Sequence, residues 1–191
     1  MKVLIIYSSP NKDGLTAACA KAAEEGVKAA GGHLETIPLN GLQVGMCEAC
    51  DHGWGTCLEQ HTCQTLDDFQ ELHTRIKKAD AYIIVTPVYW GELSETAKAL
   101  LDRLRRCEAT KGKESSLTNK PVIAIAAAGG SGGGMITCLA SLERWIYHVN
   151  ARIYDLIPVN RWSKEYKLTA ITSAAQTMVS TVPVASKENE L

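Results

Sequence analysis

Three runs of consecutive apolar residues limit the folds open to this sequence more than any other feature. They are residues 3–7 (VLIIY), 82–85 (YIIV) and 122–126 (VIAIA), and no polar residue alternates within them. Strands that are apolar on both faces are typical of parallel sheets covered by helices on both sides. Two weaker runs, at residues 34–39 and 153–159, bring the predicted number of strands to five.

Helical patterns separate these strands. Apolar residues recur at intervals of three and four, or charges follow the helix dipole, in segments 16–30, 67–78, 93–105 and 136–149. Strands that alternate with helices predict an α/β fold, and right-handed crossovers leave few topologies. The sequence therefore predicts a flavodoxin-like, doubly wound, five-stranded parallel sheet of order 2-1-3-4-5.

We expect a single flavodoxin-like domain over residues 1–191, with a cysteine-rich insertion at about 42–65 after the second strand and a C-terminal tail at about 180–191. The formal net charge of −1 favours neither a nucleic acid nor an anionic membrane as partner. No apolar run approaches the roughly 18 residues that span a bilayer, and the N-terminus lacks the features of a signal peptide. These observations predict a cytoplasmic protein with reduced cysteines and no nucleic-acid or membrane partner.

Four of the seven cysteines lie close together in the insertion. Cys47, Cys50, Cys57 and Cys63 are separated by two, six and five residues, and His52 and His61 lie among them. Four thiolates can hold an iron–sulfur cluster, of the 4Fe-4S or 2Fe-2S type, or a tetrahedral zinc ion. Ligation by the histidines would favour zinc, and a surface loop with free thiols is the third interpretation.

The loop after the first strand, SSPNKDGLT at residues 8–16, leads into a helix. Backbone amides and the positive end of a helix dipole would meet an anion there, and the absence of both GxGxxG and GxxxxGK[ST] favours a small monophosphate over a dinucleotide. The candidate phosphate-binding residues of this loop are Ser9, Asn11, Gly14, Leu15 and Thr16. The same residue types also form turns and cap helices without any ligand.

Two further loops follow the third and fourth strands, at the same edge of the predicted sheet. The first contains TPVYWG, whose Tyr89 and Trp90 could cover a flat ring, although aromatic residues here could equally fill a core or a dimer contact. The second, residues 128–134, contains five glycines and allows a ligand to approach the backbone closely, or forms a mobile lid. A phosphate site, a ring site and an open backbone together suit flavin mononucleotide (FMN).

These motifs carry a family resemblance. Ser9-Pro10 with Gly14 and Thr16, the segment TPVYWGELSETAKALLDR, and the Ala-Gly-Gly loop resemble the NADPH-dependent FMN reductase superfamily of flavodoxin-like proteins. The CxxC insertion, which closes with Cys63 shortly before Asp67, resembles the iron–sulfur flavoprotein branch of that superfamily.

The resemblance implies roles for individual residues. Ser9, Asn11 and Thr16 would bind the FMN phosphate, and the four insertion cysteines would hold the cluster. The residues expected to line the isoalloxazine ring are Pro87, Val88, Tyr89, Trp90, Gly91, Gly129 and Gly130. This chain departs from the family pattern at Asn11, where arginine is usual, at Leu15, where asparagine is usual, and in the longer spacing between Cys50 and Cys57.

The sequence thus predicts an FMN-dependent oxidoreductase that passes electrons from NAD(P)H or a reduced carrier, through FMN and a 4Fe-4S cluster, to a small molecule or a protein such as ferredoxin. The alternatives are an NAD(P)H-dependent FMN or quinone reductase with a structural zinc or no metal, and a zinc-stabilised binding module without flavin. No catalytic acid or base is expected, because hydride transfer to flavin requires mainly alignment.

We also expect a homodimer or homotetramer. The second strand lies at the edge of the predicted sheet. The insertion that follows it is therefore on the same side of the sheet as the flavin but displaced laterally from it. Members of the family commonly place the flavin near a subunit interface. The sequence therefore predicts that the insertion cysteines of one chain approach Tyr89 and Trp90 of another.

Overall fold

The structure, a computed structural model, describes residues 1–183 and contains one mixed sheet. The six strands of this sheet are β1 Lys2–Tyr7, β2 His33–Pro38, β3 Ala81–Tyr89, β4 Glu92–Leu93, β5 Pro121–Ala128 and β6 Arg152–Asn160. The five long strands are all parallel, in the order β2-β1-β3-β5-β6, and the two-residue β4 pairs antiparallel with the end of β3. The predicted fold class and the predicted order of the five main strands are confirmed, and β4 is an addition.

Helices cover both faces of the sheet. The five α-helices are α1 Leu15–Ala29, α2 Phe69–Lys77, α3 Glu95–Glu108, α4 Met135–His148 and α5 Lys164–Thr181. Short 3-10 segments are formed by Leu39–Gly41, Asp51–Gly53 and Ala109–Glu114. Within the described part of the chain, no helix is long and apolar enough to cross a membrane.

The core consists of two apolar layers, one on each face of the sheet. Alternate residues of β1 point to opposite layers: Leu4 joins the layer under α2, α3 and α4, and Ile5 joins the layer under α1 and α5. Because both faces are covered, these strands need apolar side chains at every position. This explains why their sequences show no alternation.

Helix α5 is a feature that the sequence pattern did not predict. Its buried residues are only Ile171, Ala175 and Met178, in a helix otherwise rich in threonine and serine. It lies so close to α1 that a Cβ atom at Gly26 would stand 2.2 Å from the carbonyl oxygen of Thr172. The predicted tail at about 180–191 therefore begins with the last turn of α5, and its residues 184–191 lie outside the described residues.

Candidate functional site

The carboxyl ends of β1 and β3 are joined by a small network of buried hydroxyl groups. The Ser94 hydroxyl donates to the Ser8 hydroxyl at 2.8 Å, and the Ser94 amide donates to the Thr86 hydroxyl at 3.1 Å. Ser94 also caps α3 by accepting from the Ala97 amide. The network fixes the loop after β1 against the loop after β3, at the point where the strand order reverses and where ligands bind in such sheets.

The loop after β1 is held by its own side chains. The Asn11 amide donates to the Ser9 hydroxyl at 3.2 Å, and the Asp13 amide donates to Asn11 Oδ1 at 3.0 Å. Gly14 precedes α1 and provides no side-chain cap, while Thr16 is buried in the first turn. Leu15 is half-buried and packs against the apolar layer under α1. The first turn of α1 thus presents free backbone amides to the site, with the half-buried Ser9 and the exposed Asn11 beside them.

The loop after β3 is a tight hairpin. Val88 and Tyr89 pair with Leu93 and Glu92, so Trp90 and Gly91 form the two-residue turn. Both turn residues have positive φ, 53° at Trp90 and 84° at Gly91, as a type I′ turn requires. A bulky residue in the left-handed region is strained, and the Trp90 side chain is fully exposed. The hairpin therefore holds an aromatic ring out from the sheet edge.

The glycine loop packs directly onto this hairpin. A Cβ atom at Gly134 would stand 2.4 Å from the Cα atom of Gly91, and the Thr137 hydroxyl donates to the Gly91 carbonyl at 2.7 Å. In contrast, within residues 1–183 no atom beyond the adjoining residues lies within 4 Å of a Cβ atom built at Gly129 or Gly130. The loop thus touches the hairpin at one end and leaves an open backbone at the other.

We expect Gly134→Ala to destabilise the protein by about 2–4 kcal/mol, because alanine combines an unfavourable φ of 80° with an overlap against Gly91. Urea denaturation of the variant would measure the loss. Gly133→Ala is the matched control, since Gly133 has open space at its Cβ position and no positive φ. Equal losses in the two variants would contradict the tight contact.

The cysteine segment is a closed loop whose two ends are fastened together. The Gln43 amide donates to Asp68 Oδ2 at 2.7 Å, and the Asp68 amide donates back to the Gln43 carbonyl at 3.1 Å. The Gly45 amide donates to Asp67 Oδ2 at 2.8 Å. We call these three hydrogen bonds the Gln43–Asp68 clasp. The segment therefore leaves the fold and returns to it at one place.

The four insertion cysteines line a single cavity between this segment and α3. Each cysteine is half-buried and free, and neither His52 nor His61 lines the cavity. His61 Nδ1 is instead 2.9 Å from the hydroxyl of Thr110, which follows the end of α3. The structure therefore brings together all four cysteines that the sequence singled out and leaves the two histidines aside.

The backbone of the segment is contorted around the cavity. Ala49, Asp51, His52 and His61 have positive φ, and Gly53 has a φ of 135°. A Cβ atom at Gly55 would stand 2.3 Å from Gln64 Oε1 and 2.9 Å from Cys50 Cβ. Backbone hydrogen bonds within the segment, from the Gly53 amide to the Ala49 and Cys50 carbonyls, hold these turns in place. The turns let a short segment carry its four cysteines to one cavity.

Helix α3 supplies the opposite wall of the cavity with residues that the sequence analysis did not include in the site. Arg103, Arg106 and Cys107 line the cavity together with the four cysteines. Arg106 stacks over the Trp54 ring at 4.5 Å and donates to the Gly53 carbonyl. Burial, together with the nearby Cys63 and Cys57, raises the pKa of Cys107 to about 12. The sequence gives one indication of this wall: Arg103 and Cys107 are four residues apart, a spacing that places them on the same face of a helix.

A buried charge network lies directly behind this wall. Glu108, which is fully buried, accepts from His73 Nε2 at 2.6 Å, Lys111 Nζ at 2.8 Å and the Ser116 amide at 2.8 Å. Burial alone would raise the pKa of this carboxyl, but the hydrogen bonds from His73, Lys111 and Ser116 lower it to about 2. The network joins α2 to the end of α3 and so fixes the position of the cavity wall.

Comparison with known proteins places these features in a family. The family profile of NADPH-dependent FMN reductase matches residues 1–155. The chain belongs to this family. An iron-sulfur flavoprotein of Methanosarcina thermophila is 32% identical over 156 residues, which cover 80% of this chain and 76% of that protein. This FMN-dependent oxidoreductase therefore lies in the iron–sulfur flavoprotein branch, as the sequence motifs predicted.

Solved structures agree on the fold. An NAD(P)H:quinone oxidoreductase from Methanothermobacter marburgensis superposes with a TM-score of 0.72 at 19% identity, covering 93% of this chain and 96% of that one. A Streptococcus pneumoniae flavodoxin superposes with a TM-score of 0.65 at 14% identity, covering 95% of this chain and all of that one. At such identities, these likenesses establish the flavodoxin-like fold alone.

Proposed function

We propose that this reductase binds FMN at the three loops and an iron–sulfur cluster at Cys47, Cys50, Cys57 and Cys63, and that it passes electrons from NAD(P)H or a reduced carrier such as ferredoxin to an acceptor. The observation that carries the proposal is the convergence of the four cysteines on one cavity. FMN supplies two-electron chemistry when bound and a cluster supplies one-electron chemistry, so together they convert electron pairs to single electrons.

The residues of the three loops fit the parts of FMN. The amides at the start of α1, beside Ser9, Asn11 and Thr16, would bind the phosphate. Tyr89 and Trp90 would lie against the ring, and the open backbone of Gly129 and Gly130 leaves space for its edge. Pro87 is buried in β3 and paired with Ala127, so it would contribute through its backbone.

The cysteine site offers sulfur ligands alone. The four insertion cysteines line one cavity, and neither His52 nor His61 reaches it. Four thiolates could hold a zinc ion or a cluster, and a relative named an iron-sulfur flavoprotein favours the cluster. In a 4Fe-4S cluster each of the four thiolates binds a different iron. We propose the 4Fe-4S type, since four ligands complete it.

The proposed oligomer follows from the distance between the two sites. Ser94, at the flavin edge, and the cavity residues Arg103 and Cys107 lie on one helix. At 1.5 Å per residue they are separated by about 14–20 Å along α3. Electron transfer slows steeply over such gaps. We therefore propose a homodimer or homotetramer in which the cysteine site of one subunit faces Tyr89 and Trp90 of another.

Exposed apolar residues support this arrangement. Ile136, the second residue of α4, is 70% exposed. It lies two residues after Gly134, the glycine that contacts the hairpin carrying Trp90. Large apolar side chains of this kind are enriched in the centres of subunit contacts.

Anaerobic purification followed by iron, sulfide and zinc analysis, FMN titration and sedimentation tests the proposal. We expect iron and sulfide without zinc, micromolar or tighter FMN binding, and an oligomer. Zinc without iron would instead support the FMN or quinone reductase with a structural metal. Absence of flavin binding would overturn the oxidoreductase proposal.

The phosphate loop can be tested with an isosteric change. Asn11→Asp keeps the Oδ1 acceptor that holds the Asp13 amide but adds a negative charge beside the expected phosphate. We expect about tenfold weaker FMN binding, near 1.4 kcal/mol. Riboflavin, which has no phosphate, serves as the control and should bind both proteins equally. A parallel loss of riboflavin affinity would contradict phosphate recognition by this loop.

A further inference from the structure

Arg103 is the most deeply buried of the charged residues that line the cysteine cavity. Its side chain is 1% exposed, and its guanidinium lies 4.3 Å from the centre of the Phe69 ring. One terminal nitrogen donates to Asp67 Oδ2 at 2.5 Å and to the Gly45 carbonyl at 3.1 Å. The other donates to the Thr65 carbonyl at 2.8 Å. These contacts fix the guanidinium from the side of the Gln43–Asp68 clasp.

The third guanidinium nitrogen, Nε, has no partner. Among the described residues it is the only buried side-chain nitrogen or oxygen atom without a hydrogen bond. A buried donor left unpaired costs about 1–3 kcal/mol, and more when it is charged, so native proteins rarely retain one without a reason. An unpaired donor beside a site that holds a cofactor is expected to serve that cofactor.

Cys63 lines the same cavity as Arg103, on the wall that faces α3. The Cys63 carbonyl is held separately, by Gln70 Nε2 at 2.9 Å. The backbone at Cys63 is thus fixed from one side while its sulfur faces the cavity wall that Arg103 forms.

We propose that Arg103 is a positioning residue that sets the reduction potential of the cysteine site, by donating its Nε–H to the sulfur of Cys63 when the cluster is bound. The inference rests on the proposed iron–sulfur function. One-electron reduction adds a negative charge to the cluster, and a hydrogen bond to a ligand sulfur stabilises the reduced form more than the oxidised form. Arg103 therefore raises the potential and makes the site a better electron acceptor.

Asp67 acts in the opposite direction. It pairs with the same guanidinium and accepts amides of Gly45 and Phe69, which together with Arg103 outweigh burial and keep the pKa of Asp67 below its ordinary value. Its negative charge offsets part of the positive charge that Arg103 places beside the cavity. Removing Asp67 should thus shift the potential upward, whereas removing Arg103 should shift it downward.

The experiment is an anaerobic potentiometric titration of the purified holoprotein, followed by visible absorbance and by electron paramagnetic resonance. Arg103→Gln, Arg103→Lys and Asp67→Asn are compared with the wild type. Arg105→Gln is the matched control, because Arg105 lies on the same helix outside the cysteine cavity. Iron and sulfide content is measured for every variant.

At the wild-type midpoint potential, we expect the ratio of reduced to oxidised cluster to fall about tenfold in Arg103→Gln, which corresponds to 59 mV for one electron. Arg103→Lys keeps the charge but lacks Nε, and should show a smaller fall. Asp67→Asn should show a rise, and Arg105→Gln should match the wild type. General loosening of the fold would not shift the midpoint potential in opposite directions in the Arg103 and Asp67 variants.

Iron-loaded Arg103 variants with the wild-type potential would overturn this proposal and leave the proposed function intact. Absence of iron from the wild-type protein would overturn both. If Arg103→Gln loses its iron, Arg103→Lys and Asp67→Asn provide the test. Midpoint potentials that shift in the same direction in both variants would contradict the proposal.

Discussion

Replacement of Cys50 with serine is expected to remove all or nearly all iron from the purified protein. Cys50 lines the cavity as one of the four proposed ligands, and its loss leaves the cluster one thiolate short. Serine keeps the size of the side chain but is a far poorer ligand for iron than a thiolate. Iron and sulfide analysis, with the visible spectrum, measures the loss.

Two further cysteine variants make this result specific. Cys138 is buried in the core away from the cavity, so Cys138→Ala should retain iron. Cys107 lines the cavity as a fifth thiol, and Cys107→Ala should also retain iron if the four insertion cysteines are the ligands. Loss of iron in Cys107→Ala with retention in Cys57→Ala would show that α3 supplies a ligand and that the predicted ligand set is wrong.

Glu108→Gln is expected to lower the free energy of unfolding by about 3 kcal/mol at neutral pH. The change removes the charge that His73 and Lys111 face inside the protein, and breaking a buried ion pair commonly costs about 3–5 kcal/mol. Urea denaturation measures the effect. Glu114→Gln is the matched control, because Glu114 is exposed and follows shortly after on the same connection.

The Glu108 contribution should also depend on pH with a defined sign. The pKa of this carboxyl is about 2 in the folded protein and near 4.5 when it is unfolded. A lowered folded pKa means that the stabilisation is complete above about pH 5 and is lost as the pH falls toward 2. The difference in stability between wild type and Glu108→Gln should therefore shrink over that interval. A difference that is constant with pH would show that charge is not its source.

The sequence predicted the parallel sheet because burial on both faces leaves a direct trace in residues such as Leu4 and Ile5, which serve opposite layers. Helix α5 is hard to recognise in the sequence. It contacts α1 through a close backbone approach at Gly26 rather than through an apolar stripe, and its threonine and serine residues obscure the helical periodicity.

The parts of the site that could be predicted are those in which the residue type itself indicates the ligand. The four cysteines and the three loops at the sheet edge are recognisable from sequence; in the structure the cysteines line one cavity and the loops follow β1, β3 and β5. The Trp90-Gly91 turn was not predictable, since tryptophan is not a residue that usually occupies a left-handed turn position. Arg103 was missed because its burial depends on Asp67, a partner far away in the chain.

The Gln43–Asp68 clasp has a consequence for how such chains can vary. The segment between the clasp residues starts and ends at one place, so its length can change without moving β2 away from α2. We therefore expect the cysteine segment to vary in length between its contacts with α3 while the register of β1 and β2 stays the same. Extra residues between Cys50 and Cys57 are then the kind of variation that such a segment tolerates.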